Sequence, residues 1–193
     1  MNWIDRGTYT LSTHQQGSKE WLKSRENLLT ASKFGKILEG NVKKSEILSK
    51  DSNQETNTYM VHGIIYEPVA RNWYCSTFNV KVRELGLAVP KWDTRIGASL
   101  DGEVEGTNGS IEIKCPATMY GSLYTPQPDY SHIPASHYAQ MQGGMKICCK
   151  EWCDYIVYSV REKSTFVERI PFSEEYWNKK LYPAILKFLE EDD

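Results

Sequence analysis

The chain has no marked excess of either charge: 23 Lys and Arg stand against 25 Asp and Glu, a net charge of −2. That sum does not announce a nucleic-acid binder, so the local distribution of charge carries more than the total. No apolar run is long enough to span a membrane, and the N-terminus lacks an apolar signal-like core. A protein that is neither secreted nor membrane-spanning is expected. There is no Cys-x-x-Cys, and the cysteines are five: Cys75, Cys115, Cys148, Cys149 and Cys153. An odd count without that motif argues against a disulfide framework and for a reduced intracellular protein. Cys148, Cys149 and Cys153 lie close in sequence, but no fourth ligand at suitable spacing joins them. Buried free thiols are expected there rather than an iron–sulfur cluster. Repeats and low-complexity segments are missing too, and 193 residues suit one domain with a sizeable core.

Positive charge is nevertheless concentrated. From Lys19 to Lys50 there are eight basic residues and four Glu. The end, Glu190-Glu191-Asp192-Asp193, is acidic and reads as a solvated helix terminus. Periodicity predicts a short helix over 18–25 capped by Ser18, and a second opening at Thr30-Ala31-Ser32 with Phe34, Ile37 and Leu38 on one face. A short helical piece is expected around 44–50, and a longer helix over 58–76 that Pro68 either restarts or kinks. Alternation then predicts strands over 80–89, 95–101 and 110–115, the last two joined as a hairpin through Glu105-Gly106-Thr107-Asn108-Gly109. Residues 116–134, with four prolines, read as a long surface loop. A helix over 135–148, strands over 152–160 and 164–171, and a helix over 174–190 complete a mixed α/β or α+β core. In the last helix Tyr176, Trp177, Leu181, Ile185, Phe188 and Leu189 point inward.

The chemistry concentrates at Ser99-Leu100-Asp101-Gly102 and Ile111-Glu112-Ile113-Lys114-Cys115-Pro116. Residues i and i+2 of a strand share a face. Glu112 and Lys114 therefore point into one pocket while Ile111 and Ile113 enter the core. An acid and an ammonium on one face of a buried strand are costly unless they are used. Asp101 and Glu112 suit a hard divalent cation, and Lys114 beside them can orient or deprotonate an attacking water. That is the equipment of a metal-dependent phosphodiesterase. Glu67, among apolar neighbours on a helix, is a candidate third carboxylate or a solvated surface acid. Gln142 either hydrogen-bonds the water or Lys114, or is a helix-surface amide. Arg25 with Thr30 and Ser32 can hold a phosphate at a helix N-terminus, although capping explains Thr30 equally well. Ser99 adds a hydroxyl to the same site or is simply a small strand residue. Gly143-Gly144 inside a helix costs roughly 1 kcal/mol per glycine relative to Ala, which points to close packing.

These motifs follow one order: Arg25 to Ser32; Gly63, Glu67, Ala70, Tyr74; Ser99, Asp101, Gly102; Glu112, Lys114, Cys115, Pro116; Ala139, Gln140, Gln142. Together with Gly17-Ser18-Lys19-Glu20-Trp21-Leu22, the set resembles the phage lambda exonuclease, or YqaJ-type viral recombinase, family from about Gly17 to Gln142. The resemblance implies the PD-(D/E)xK nuclease fold, a mixed sheet flanked by helices. It implies digestion of one strand of linear double-stranded DNA from the 5′ end, leaving a 3′ overhang. Asp101, Glu112, Glu67 and the Ile113 carbonyl would hold Mg²⁺, or Mn²⁺ in its place, as two ions. Lys114 and Gln142 would place the water. Arg25, Ser32, Thr30 and Ser99 would hold the terminal 5′-phosphate. It further implies a homotrimeric ring around double-stranded DNA and a single-strand annealing protein as partner. With so even a charge balance, DNA binding requires basic residues to line one surface, and Lys33, Lys36, Lys43 and Lys44 are candidates. A bacterial cytoplasm, or the nucleus or cytoplasm of a eukaryotic host, would be the location. A RecB-like or Cas4-like exonuclease, or a structure-specific endonuclease, of the same fold is the main alternative. A DNA-binding scaffold without activity is a second, and an unrelated protein with a chance Glu-x-Lys a third.

Overall fold

A computed structural model describes residues 2–40, 42–48, 58–117 and 125–191. The end of the helical piece expected around 44–50, the polar residues 51–57 after it, the middle of the 116–134 loop and the last two acids lie outside the described residues.

Two strands that periodicity did not flag come first, β1 (Trp3–Asp5) and β2 (Tyr9–Ser12). They follow with α1 (Lys19–Ser24), where Ser18 Oγ accepts the Trp21 N–H as an N-cap. A short strand β3 (Leu29–Thr30) leads into a 3₁₀ turn at Ala31–Lys33 and then α2 (Phe34–Glu39), and α3 (Lys44–Ile47) is one turn long. The long helix α4 (Thr58–Phe78) runs through Pro68 without a break. Strands β4 (Val82–Arg83), β5 (Ala88–Pro90), β6 (Ile96–Gly97), β7 (Gly102–Val104) and β8 (Gly109–Lys114) follow. Helix α5 (Ala135–Ile147) then crosses to β9 (Trp152–Ser159) and β10 (Ser164–Pro171). The chain closes with α6 (Glu174–Tyr176), a π turn at Trp177–Leu181 and α7 (Tyr182–Glu190). Trp177, Leu181, Ile185 and Phe188 are buried as expected, whereas Tyr176 and Leu189 only border the core.

The main sheet has the order β10-β9-β8-β7-β4, and only β8 and β9 run parallel. A parallel pair needs a crossover, and α5 supplies it. This is the expected mixed sheet flanked by helices. The expected arrangement of the strands over 80–89, 95–101 and 110–115 is wrong in detail. The hairpin partner of β8 is β7, not a strand over 95–101. β5 leaves for a separate sheet with β1 and β2, and β6 pairs in parallel with β3. The physical reason lies in Ser99–Asp101, which stands outside every ladder so that the Asp101 carboxylate can turn toward β8.

The two sides of β8 are covered differently. Ile111 and Ile113 pack with Ala70 and Tyr74 of α4 and with Ile156. On the opposite side α5 lays Met141 and Met145 against Cys153, Tyr155 and Val157 of β9. The paired glycines are a packing device. A Cβ at Gly143 would stand 2.4 Å from the Phe34 ring, and one at Gly144 2.9 Å from Leu100 Cδ2. The five cysteines are free thiols, as expected, but only Cys148 and Cys153 are buried, and Cys149 is exposed. No helix among the described residues is long and apolar enough to cross a membrane.

Candidate active site

Strand alternation sets the site's floor. Glu112 and Lys114 project from the same side of β8, and Lys114 Nζ lies 3.0 Å from Glu112 Oε1. Asp101 arrives from the turn before β7, where its Oδ2 accepts the Ile113 N–H at 2.7 Å. One oxygen of Asp101 is thus fixed on the backbone of the Glu-x-Lys strand. Glu67 comes from α4 with its side chain 35% exposed, and Arg71 Nη2 stands 2.6 Å from its Oε1. It is an ion-paired acid rather than a freely solvated one.

Electrostatics mark the three carboxylates as one cluster. Burial, then the charges of Glu112 and Glu67, push the Asp101 carboxyl well above the usual carboxylate range, against the opposing Ile113 N–H and Lys114. Burial also raises Glu112, with Lys114 opposing and Glu67 adding to the rise. For Lys114, burial pulls the ammonium down, but Glu112 and Asp101 outweigh it and keep the group charged. The Cys115 thiol is pushed up to about 12 by burial and by Glu67 and Asp101, which removes it as a thiolate nucleophile. Crowded, buried carboxylate oxygens with raised proton affinity fit a hard divalent cation, whose charge relieves the repulsion. Among the described residues no three His, Cys, Asp or Glu side chains stand together as a ready metal cage. Glu67 is turned to Arg71, and Glu112 to Lys114.

A cavity of about 140 Å³ joins Asp101 and Glu112 to Arg25, Thr30, Ser32 and Ser99. The four residues read as an anion pocket are brought together. Arg25 Nη2 donates to Thr30 Oγ1 at 3.3 Å, and Thr30 Oγ1 and Ser32 Oγ are 3.2 Å apart. Thr30 makes no side-chain cap, so its hydroxyl belongs to this cluster. The helix expected to open at Thr30 is only a 3₁₀ turn there. Hydroxyls and a guanidinium therefore make the pocket, not the dipole of a long helix. Trp21 completes it: the Arg25 guanidinium lies 4.2 Å from the indole centroid, and Trp21 Nε1–H donates to Ser99 Oγ at 3.1 Å.

Gln142 is not at the site, and the expectation that it touches Lys114 or the water is corrected. It is fully buried, its Nε2 donates to the Pro171 carbonyl at 3.0 Å, and its Oε1 accepts the Ser173 N–H at 2.8 Å. Gln140 stands in its place, with Oε1 accepting from Lys114 Nζ at 2.9 Å. Two residues along a helix are about 200° apart, so only one of the pair can face β8. The available signal was Gly144, one turn beyond Gln140 on the face that meets Leu100.

The YqaJ-like viral recombinase domain matches residues 20–151. The chain belongs to this family. No curated protein sequence matches it. Among solved structures it is similar to an alkaline exonuclease, LHK-Exo, from Laribacter hongkongensis, with 28% identity and a TM-score of 0.72 over 89% of this chain and 91% of that one. The same exonuclease in complex with dAMP gives 27% identity and a TM-score of 0.74, over the same shares. A phage-related exonuclease from Haemophilus somnus shares the fold at 16% identity and a TM-score of 0.62, over 86% of this chain and 95% of that one. The fold of the family member described here is accordingly of the PD-(D/E)xK nuclease type.

Proposed function

We propose that the protein digests one strand of linear double-stranded DNA from its 5′ end and leaves a 3′ overhang for single-strand-annealing recombination. The chain is a nuclease by family and fold. One observation carries the finer reading: a single cavity unites the Asp101 and Glu112 carboxylates with the Arg25, Thr30, Ser32 and Ser99 anion cluster. A terminal phosphate held by Arg25 would present the neighbouring phosphodiester to the carboxylates, and so couple cleavage to a chain end.

Asp101, Glu112, Glu67 and the Ile113 carbonyl would hold Mg²⁺, or Mn²⁺, as two ions. When bound, such ions polarise a phosphoryl oxygen and lower the pKa of a coordinated water. Lys114, kept charged by Glu112 and Asp101 and oriented by Gln140, would hold the attacking water in line. A homotrimeric ring and a single-strand annealing partner belong to the same proposal, as does action inside a cell.

The test is end-labelled linear duplex with and without Mg²⁺, using the wild type and Lys114→Ala. Metal-dependent loss from the 5′-phosphorylated end is expected, about 10²-fold or more slower in the variant, with covalently closed circles left intact. Cutting of circles would favour a structure-specific endonuclease instead. Sedimentation at working concentration checks the ring: a monomer argues against it.

A further inference from the structure

A buried guanidinium beside the carboxylates has no part in the roles above. Arg71 lies one helical turn beyond Glu67 on α4, and its side chain is 11% exposed. Its Nη2 donates to Glu67 Oε1 at 2.6 Å and to the Asp101 main-chain carbonyl at 3.2 Å. Its Nη1 lies 3.2 Å from Glu84 Oε1, a carboxylate largely in solvent. The Arg71 Nε–H is buried with no partner among the described residues. An orphaned buried donor is costly. The rest of the guanidinium spans Glu67 of its own helix and the Asp101 turn. On the other side of the turn, Gln16 Nε2 donates to the carbonyls of Leu85 and Leu100 at 2.6 and 2.7 Å. The successive carbonyls of Leu100 and Asp101 are thus each pinned by a side chain from a different part of the chain.

We propose that Arg71 is a positioning residue for the divalent cation: it ties Glu67 of α4 to the Asp101 turn, so that the Glu67 carboxylate is kept beside the turn instead of in solvent. This rests on the reading that these carboxylates bind the cation. Without Arg71, the half-exposed Glu67 is repelled by Asp101 and Glu112 and turns to water. Binding must then reorder both the side chain and the turn. The sign of the effect is diagnostic. A positive charge that acted only through its field would oppose cation binding, and removing it would tighten the site. A positioning residue does the reverse, and hydrogen-bond partners of metal-binding side chains are typically worth about 10- to 100-fold in affinity.

The experiment measures Mn²⁺ binding to the DNA-free protein by the electron paramagnetic resonance signal of free Mn²⁺. It uses the wild type, Arg71→Met, Arg71→Lys and Asp101→Asn, with melting curves to verify folding. Arg71→Met should bind Mn²⁺ about 10- to 100-fold more weakly. Arg71→Lys should fall between, since an ammonium keeps the charge but cannot span both acceptors. On linear duplex the KM for DNA should stay unchanged while the Mn²⁺ concentration needed for half-activity rises. Folded Arg71→Met that binds Mn²⁺ as tightly as the wild type, or more tightly, overturns the proposal. Should Arg71→Met not melt cooperatively, Arg71→Lys decides alone: wild-type affinity overturns the proposal and weaker binding supports it. Failure of the metal reading looks different. The wild type would then bind no Mn²⁺, or Asp101→Asn would bind it unchanged, and the Arg71 proposal falls with it.

Discussion

Gln140 and Gln142 differ by two positions and have separate tasks. Gln140 holds Lys114, and Gln142 bridges the end of β10 to the start of α6 through Pro171 and Ser173. Gln142→Ala removes both hydrogen bonds that this fully buried side chain makes to the Pro171 carbonyl and the Ser173 N–H, each worth about 0.5–1.5 kcal/mol. The variant should therefore melt lower while any molecules still folded cleave DNA at the normal rate. Gln140→Ala should show the converse: a near-normal melt with slowed cleavage, because the Lys114 ammonium loses one of its two restraints. Equal effects of the two variants on cleavage would contradict this division. The carboxylates and Lys114 were legible in the sequence because a strand has period two, and Glu-x-Lys in an apolar run can have only one orientation. The glutamines were not, since two residues along a helix reverse the face and the Ala-Gln-x-Gln motif does not say which face meets β8. Trp21 and Arg71 were equally hidden. One acts through its ring and an indole N–H, the other through contacts 30 residues away in the chain.

At the scale of elements, the site depends on two helices approaching closely. α2 and the 3₁₀ turn before it carry Ser32, and α5 carries Gln140. Gly143 is the point of contact, where the Phe34 ring occupies the space a Cβ would need. Gly143→Ala places a methyl 2.4 Å from that ring. Overpacking of this kind costs about 1–3 kcal/mol, and helix propensity returns about 1 kcal/mol of it. Chemical denaturation should show the loss. Cleavage should suffer too, because separating α2 from α5 moves Ser32 away from Gln140. A stabilised Gly143→Ala would mean that the paired glycines are not a packing device. Close packing was readable from the paired glycines alone, but their partner was not. The sequence likewise signalled the C-terminal strands and helix, each long and strongly periodic. It did not signal β1, β2 and β3, which are two to four residues long and take their conformation from pairing rather than pattern, and it drew β6 too long, over 95–101.

For the whole molecule, the sheets are tied by buried charge. Glu103 of β7 accepts from Arg6, near β1 and β2, at 2.9 and 3.0 Å, and from Lys150, beyond α5, at 2.8 Å. Burial would raise the Glu103 carboxyl, but Lys150 and Arg6 overcome it and hold it below its ordinary value. A second titratable group sets the acid side of stability. His137, at the start of α5, has Nδ1 2.8 Å from the Tyr155 hydroxyl. Burial, and then the charge of Lys114, drive its pKa from 6.5 down to about 3. The unfolded chain therefore binds a proton at His137 between roughly pH 6.5 and 3 that the folded chain refuses, so folding stability falls as pH drops through that window. Each unit of separation is worth about 1.4 kcal/mol, so the contribution reaches a few kcal/mol near its lower end. His137→Asn keeps a group able to bond Tyr155 but does not titrate. The difference in unfolding free energy between wild type and variant, measured by urea denaturation from pH 7 to pH 4, should therefore shift steadily in favour of the variant as pH falls. A difference independent of pH would mean that burial does not keep the His137 ring neutral in the folded protein across this window.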